Sequence, residues 1–426
     1  MIKWSILKNG VRVLTEKTPF PTSINLGVLL DVGTRDETPK ISGTLHALKK
    51  IYLRTHTNSD EQKNYCTVQM SGGDFSMDYD QEKTYYHGTC LAHDTYDFLQ
   101  MARDCIFDEK NEEDAKIAHE RLSEHWKANQ NVMPDQLITS FMLPAAFGEN
   151  GIGLPLDGHE GAYPSITHTT MNEFRNTCIS PEKIIVAAAG VNNHEEFENS
   201  VKPYFENLQA PEHLKARIPS QYLGGEFRHE IQSDMTYMSL SFEGVSWTND
   251  KMPAFQVLRT AIGEGGGFST GGPGKGMHSR AYNTFLRKYP FLESVKCINQ
   301  HFTDTGLFTI LISGLKAYSG HMAEAMVKET LDLQRMTDIE IARAKNLLKN
   351  QALLTLEKTG PRIEDTVKMF MTFGSQKNYI ELIDAVTPQQ VRELASKVIK
   401  TRPSLVILGQ GTENVPSFDK FQARLS

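Results

Sequence analysis

The 426-residue sequence contains no long apolar run. Nothing in it approaches the roughly 18–20 consecutive apolar residues of a membrane-spanning helix, so no transmembrane segment is expected. It has no Lys/Arg block and a formal net charge of −7, which argues against a nucleic-acid partner. Cysteines are few: Cys66, Cys90, Cys105, Cys178 and Cys297 are far apart, odd in number and form no C-x-x-C pair. That pattern excludes a disulfide framework and predicts free, buried thiols in a reducing compartment. No G-x-S-x-G elbow, EF-hand or zinc-finger spacing occurs. A P-loop is also missing, because Gly276 stands after Lys275 where Ser or Thr is required. The opening "MIKWSILKNGVRVLTEK" reads directly as a strand, without a secretory h-region or an Arg/Ser-rich leader.

What is present points to one plan used twice. The length predicts two domains or a duplicated one. The segment 209–227, "QAPEHLKARIPSQYLGGEF", has two prolines, a glycine pair and little apolar periodicity, so it is expected to link residues 1–208 to residues 228–426. Both parts end alike. In the first, Thr170 with Glu173 three residues on suggests a capping box, followed by a short helix, Pro181 and a strand over 184–189. In the second, Thr387, Pro388 and Gln390 open a helix, followed by Pro403 and a strand over 405–408. "INLGVLLDVG" and "MTYMSLSFEGVS" read as strands. "DTYDFLQMARDCIF" places Phe98, Met101, Ala102 and Cys105 on one helical face behind Asp94. Thr337 and Glu340 form another capping box. Mixed strands and helices give the class α+β, each half a mostly antiparallel sheet backed by helices.

Two stretches carry chemistry. In "GTLHALKKIYLRTHT" the helical spacing aligns His46 with Lys50, and Lys49 lies between them. An inverted zinc site would read H-x-x-E-H at these positions. Spacing alone also suits an ordinary helix with one polar histidine and two solvated lysines. Further on, "HERLSEHWKANQ" offers Glu120 and Glu124 with His125 beside them, on a helix charged throughout. The second stretch, "GEGGGFSTGGPGKGMHSRAY", has eight glycines between Gly263 and Gly276. Such a segment samples positive φ widely and lets another backbone come close, which suits a mobile flap, a peptide-docking loop or a plain linker. It follows a helix-like "AFQVLRTAIG", which argues against a dinucleotide fingerprint.

These residues resemble the pitrilysin-type, inverted-zincin metallopeptidase family. "DVGTRDE" stands for its D-A-G-S-R-x-E, and "GTLHALKK" for G-x-x-H-F-L-E-H. "VQMSGGDFSMDYDQEKTYY" and "YLGGEFR" resemble two further family segments, and "FSTGGPGKGMHSRAY" resembles the glycine-rich loop of its alpha-type processing-peptidase branch. The resemblance runs from about residue 9 to the C-terminus. It implies two similar α+β halves that enclose a chamber once paired with a second subunit. It also implies a non-catalytic role for this chain, with no metal and no cofactor of its own. It further implies that zinc is held by a beta-type (core 1) partner carrying H-x-x-E-H. By position, His46 matches the first ligand, Lys49 the base, Lys50 the second ligand and Glu124 the distal glutamate. The presequence of a precursor would meet the loop residues Gly263, Gly265, Gly266, Gly267, Phe268, Gly271, Gly272, Gly274 and Gly276. The same family supplies core subunits of ubiquinol–cytochrome c reductase, complex III, so other complex III subunits are a second set of expected partners. A purely structural core protein is the alternative. Either role implies the mitochondrial matrix or the matrix face of the inner membrane.

Overall fold

The computed structural model describes residues 2–18, 23–55, 72–129, 134–266 and 277–425. The chain separates into two compact units. The first comprises Met1–Asn131, Asn150–Ile218 and Thr355–Gln376, and the second Val132–Glu149, Pro219–Leu354 and Lys377–Ser426. The units are therefore not the contiguous segments 1–208 and 228–426 that the proline- and glycine-bearing stretch suggested.

The first unit holds a six-stranded sheet. Its strands are β1 (Ile2–Ile6), β2 (Arg12–Glu16), β3 (Ile24–Leu30), β4 (Asp74–Tyr79), β5 (Thr84–Cys90) and β6 (Ile184–Ala189), in the order β1-β2-β6-β3-β5-β4. The second unit holds β7 (Gly225–His229), β8 (Met235–Glu243), β9 (Glu264–Gly266), β10 (Leu292–His301), β11 (Gly306–Leu315) and β12 (Ser404–Gly409), in the order β7-β12-β8-β11-β10-β9. Each sheet has one parallel pair, β2 with β6 and β7 with β12, and its other pairs are antiparallel. β6 lies parallel to β2 and antiparallel to β3, and β12 lies parallel to β7 and antiparallel to β8. The two strands with the shared sequence ending thus occupy equivalent places, and the architecture is α+β with a repeated sheet. Beyond the repeat, β1 adds an edge beside β2, and β9 adds one beside β10.

The helices of the first unit are α1 (Thr44–Lys50), α2 (Thr95–Phe107) and α3 (Glu112–Asn129). Next in the chain comes α4 (Pro134–Phe147), which belongs to the second unit, and then α5 (His168–Cys178) and α6 (His194–Phe205) of the first. The second unit continues with α7 (Met252–Ile262), α8 (Ser319–Leu331) and α9 (Asp338–Glu357). α10 (Thr359–Phe373) returns to the first unit, and α11 (Tyr379–Ala385), α12 (Pro388–Ile399) and α13 (Phe418–Leu425) complete the second.

Strand periodicity explains where these helices sit. β6 is buried throughout, and its alternate residues face opposite sides. Ile184, Val186 and Ala188 meet Phe98 and Leu99 of α2, Phe174 of α5 and Phe197 and Val201 of α6. Ile185, Ala187 and Ala189 meet Ile363, Val367 and Phe370 of α10. In the second sheet Leu405 and Ile407 face α7, α8 and α12, while Val406 and Leu408 face Ile138 of α4. Each sheet is thus covered on both faces, and one cover comes from the other half of the sequence.

Local expectations are met with one correction. The α2 face Phe98, Ala102 and Cys105 is buried, Met101 packs beside it, and Asp94 is the N-cap residue. Thr387 with Gln390, and Thr337 with Glu340, form their capping boxes. α5 begins earlier than Thr170: Thr167 is the N-cap and Thr170 is N3, each hydroxyl meeting the other's backbone N–H. The Thr167 hydroxyl takes the cap, so the helix includes His168–Thr170 ahead of the expected start, and Met171 is buried in it. Cys90, Cys105, Cys178 and Cys297 are free and buried, and Cys66 lies outside the described residues. Among the described residues no helix is long and apolar enough to cross a membrane.

Truncating Phe370 tests the exchanged cover. Phe370→Ala should cost about 3–5 kcal/mol of stability and speed amide exchange in β6 and β3 more than in β12. Exchange quickening first in β12 would overturn this placement of α10.

Candidate functional site

The pocket is built from α1 outward. Glu37 is buried, and its carboxylate accepts the backbone N–H of Gly43 at 2.8 Å and of Leu45 at 2.7 Å, which caps α1. Burial pushes the Glu37 carboxyl up to about 8, against the pull of those two N–H groups. The rest of "DVGTRDE" is held by Arg217, which donates to Asp31 and Asp36 at 2.9 Å, and by the buried pair of Arg35 with Glu82. Gly43 has φ +99°, and a Cβ on Gly158 would sit 2.4 Å from the Gly43 Cα. Only paired glycines allow this backbone crossing, which brings Asp157 to the head of α1.

His46, buried on α1, faces this crossing. Its Nδ1 lies 2.6 Å from the Tyr79 hydroxyl and 3.5 Å from Asp157 Oδ1, while its buried Nε2 has no hydrogen-bond partner. α3 supplies the opposite wall. Its buried stripe Ala115, Ala118 and Leu122 packs on Ala47 and Ile51, and continues one turn on to His125. The His46 and His125 rings are 4.6 Å apart. His125 Nε2 is 3.4 Å from Asp157 Oδ2, and the Lys50 ammonium is 3.3 Å from His125 Nδ1. Lys49 turns away, 3.2 Å from Asp78 and over the Tyr79 ring at 5.4 Å.

The structure therefore brings His46 and Lys50 together and leaves the other two expected positions out. Lys49 pairs on β4, and Glu124 is exposed on α3. The group that α3 turns inward is His125, one residue beyond Glu124, because the apolar stripe fixes the helix rotation. Asp157 and Tyr79 were not singled out from the sequence. Asp157 comes from a loop, and Tyr79 from an alternating strand, so neither carried a spacing signal.

A family zinc ion does not fit this set as it stands. The position of the second ligand is an ammonium donating to His125, and the position of the base is a second lysine, Lys49, paired with Asp78. No hydrolytic step follows from these residues. Burial pushes the His46 imidazole down to about 4; Asp157 opposes this, and Lys50, His125 and Lys49 add to it. Burial also lowers the Lys50 ammonium.

The glycine-rich segment lies in the second unit. Gly263 ends α7 at φ +73°, and a side chain there would meet the Cβ of Ser279 at 2.6 Å, so the two ends of the segment close on each other. Gly265 and Gly266 belong to β9 and pair with Val295 and Ser294 of β10. The far end is pinned by Arg280, which donates to Glu340 at 2.9 Å and to Asp332 at 3.0 Å. Gly267, Phe268, Gly271, Gly272, Gly274 and Gly276 lie outside the described residues.

Two family models match this chain: Insulinase (Peptidase family M16) over residues 12–158, and Peptidase M16 inactive domain over residues 165–348. The chain belongs to peptidase family M16. It is 28% identical to the probable mitochondrial-processing peptidase subunit alpha-1 of Arabidopsis thaliana, over 98% of this chain and 83% of that one. It is 28% identical to the probable alpha subunit of Schizosaccharomyces pombe, over 92% and 81%. A probable beta subunit of Arabidopsis thaliana is 27% identical, over 98% and 80%. In fold it is similar to a chain of complex III2 from Candida albicans, with TM-score 0.82, 16% identity and 99% of each chain covered.

The lowered His46 value has a pH consequence. Its folded pKa lies below the unfolded value of about 6.5, so the associated stability is complete above that pH and is lost as pH falls toward 4. The loss amounts to about 3 kcal/mol. Urea unfolding of His46→Gln should therefore depend less on pH between 6.5 and 4 than unfolding of the parent chain. Equal slopes would assign the acid sensitivity elsewhere.

Proposed function

We propose that this chain is the non-catalytic, presequence-binding alpha-type subunit of a mitochondrial processing peptidase. Its partner is a beta-type subunit that carries H-x-x-E-H and holds the zinc. The observation that carries this reading is the lysine pair of α1. One lysine is bonded to His125 and the other to Asp78, so lysines stand at both the position of the family's water-activating glutamate and that of its second ligand. The names of the alpha-type relatives from Arabidopsis thaliana and Schizosaccharomyces pombe support it, and so does the retained glycine-rich segment.

In this role Gly263 to Gly276 meets the presequence. Bare glycine amides pair with an extended peptide, and Phe268 and Met277 offer apolar contact. The chain's net charge of −7 draws in a basic leader. Lys275 runs against that attraction and is given no binding part. The matrix, or the matrix face of the inner membrane, is the compartment this role requires. A second reading takes its start from the likeness to a complex III chain: a purely structural core subunit, with other complex III subunits as partners.

Deleting Gly265 to Gly272 separates the two. In a reconstituted pair with a zinc-bearing beta-type subunit, the deletion should slow precursor processing by roughly tenfold or more, equivalent to about 1.4 kcal/mol. Assembly of the pair should persist, because a glycine-rich segment presents few side chains to a packed interface. Processing at the normal rate would make the structural reading the better one.

A further inference from the structure

The α1 pocket contains a donor set that differs from the family's own. His46, His125 and Asp157 each offer one atom, and these lie within 4.8 Å of one another. The set is half built as a metal site. His46 has a buried, unpartnered Nε2, while Asp157, nearly half exposed, gives access from solvent. In a tetrahedral site with bonds of about 2.0–2.1 Å, ligand atoms stand about 3.3 Å apart. Asp157 already stands 3.5 Å from His46 Nδ1 and 3.4 Å from His125 Nε2, close to that spacing.

Lys50 decides whether this set can be used. An ammonium only donates, so His125 Nδ1 accepts at 3.3 Å and the ring proton resides on Nε2. That Nε2 is the atom facing Asp157 at 3.4 Å, where a cation would have to be. A neutral imidazole has one lone pair, and Lys50 occupies it. Without the ammonium, Nδ1 can take the ring proton and Nε2 becomes a ligand.

The geometry points to His46, His125 and Asp157 as a latent site for a first-row divalent metal ion, held closed by Lys50. Lys50 is the built-in cation of the pocket: it takes the charge and the histidine lone pair that a metal would take. The site owes nothing to the position of Glu124, and it is independent of the subunit role proposed above, since the chain by itself reports it.

The test is titration of the purified chain with Co2+, followed by visible absorption, and elemental analysis after exposure to Zn2+. The parent chain and Lys49→Ala should bind no stoichiometric metal. Lys50→Met, which keeps the aliphatic length and removes the charge, should bind about one ion per chain, at least about tenfold more tightly than the parent. Adding Asp157→Asn or His125→Gln to Lys50→Met should abolish that gain, while Glu124→Gln should leave it intact. Circular dichroism checks folding, and Lys50→Gln carries the same test if Lys50→Met does not fold. A folded Lys50 variant that binds no metal overturns the ligand set. A parent chain that binds as tightly as the variant overturns the gate.

Discussion

Every residue of β6 is buried, and this burial is the constraint from which the first unit is assembled. A strand that is apolar on both sides needs cover on both faces of its sheet. α2, α5 and α6, all within the N-terminal half, cover one face, and α10 from the C-terminal half covers the other. The second sheet repeats the solution in mirror order of sequence, with α4 from the N-terminal half placed against Val406 and Leu408. Each half of the sequence covers one face of its own sheet, and a helix of the other half covers the second face. From β6 the ladder runs to β3, then β5, then β4, which places Tyr79 at the mouth of the pocket.

The elements that the sequence announced clearly were those whose cause is local. Strand alternation marked β3 and β8, and the cap, helix, proline and strand endings marked β6 and β12 as counterparts. The equivalence of those strands rests on their pairing, which local pattern cannot state but duplication implied. The exchange of α4 and α10 was not legible. An apolar helix face declares that it will be buried, not which sheet will bury it. α4 carries apolar residues all round, and an internal proline at Pro144 adds no directional cue.

The pocket was legible only in part, for the same reason. His46 and Lys50 share a face because both are fixed by one helix. The choice between Glu124 and His125 depends on how α3 rotates against α1, and that is set by Ala118 and Leu122 meeting Ala47 and Ile51. A rotation of about 100° per residue separates the exposed carboxylate from the half-buried imidazole. The motif "DVGTRDE" had a structural cause invisible in the sequence: Glu37 caps the helix that carries the site, and Arg217 ties Asp31 and Asp36 from the far end of the unit.

These anchors explain how the pocket keeps its shape with lysine where its family places a metal ligand. In a metal site the ion itself draws its ligands together, and removing it leaves buried imidazoles with unsatisfied lone pairs, each a cost of about 1–3 kcal/mol. Here the backbone does part of that work through the Glu37 cap and the Gly43–Gly158 crossing, neither of which involves a ligand atom. Lys50 then satisfies His125, and Tyr79 satisfies one nitrogen of His46, which leaves His46 Nε2 as the unpaired imidazole atom of that ring. Lys49 is paired outside the pocket with Asp78, which keeps a second positive charge from crowding the first. The helix that presents His46 and Lys50 is thus positioned by Glu37 and by the Gly43–Gly158 crossing, groups that lie outside the cluster of His46, His125 and Asp157.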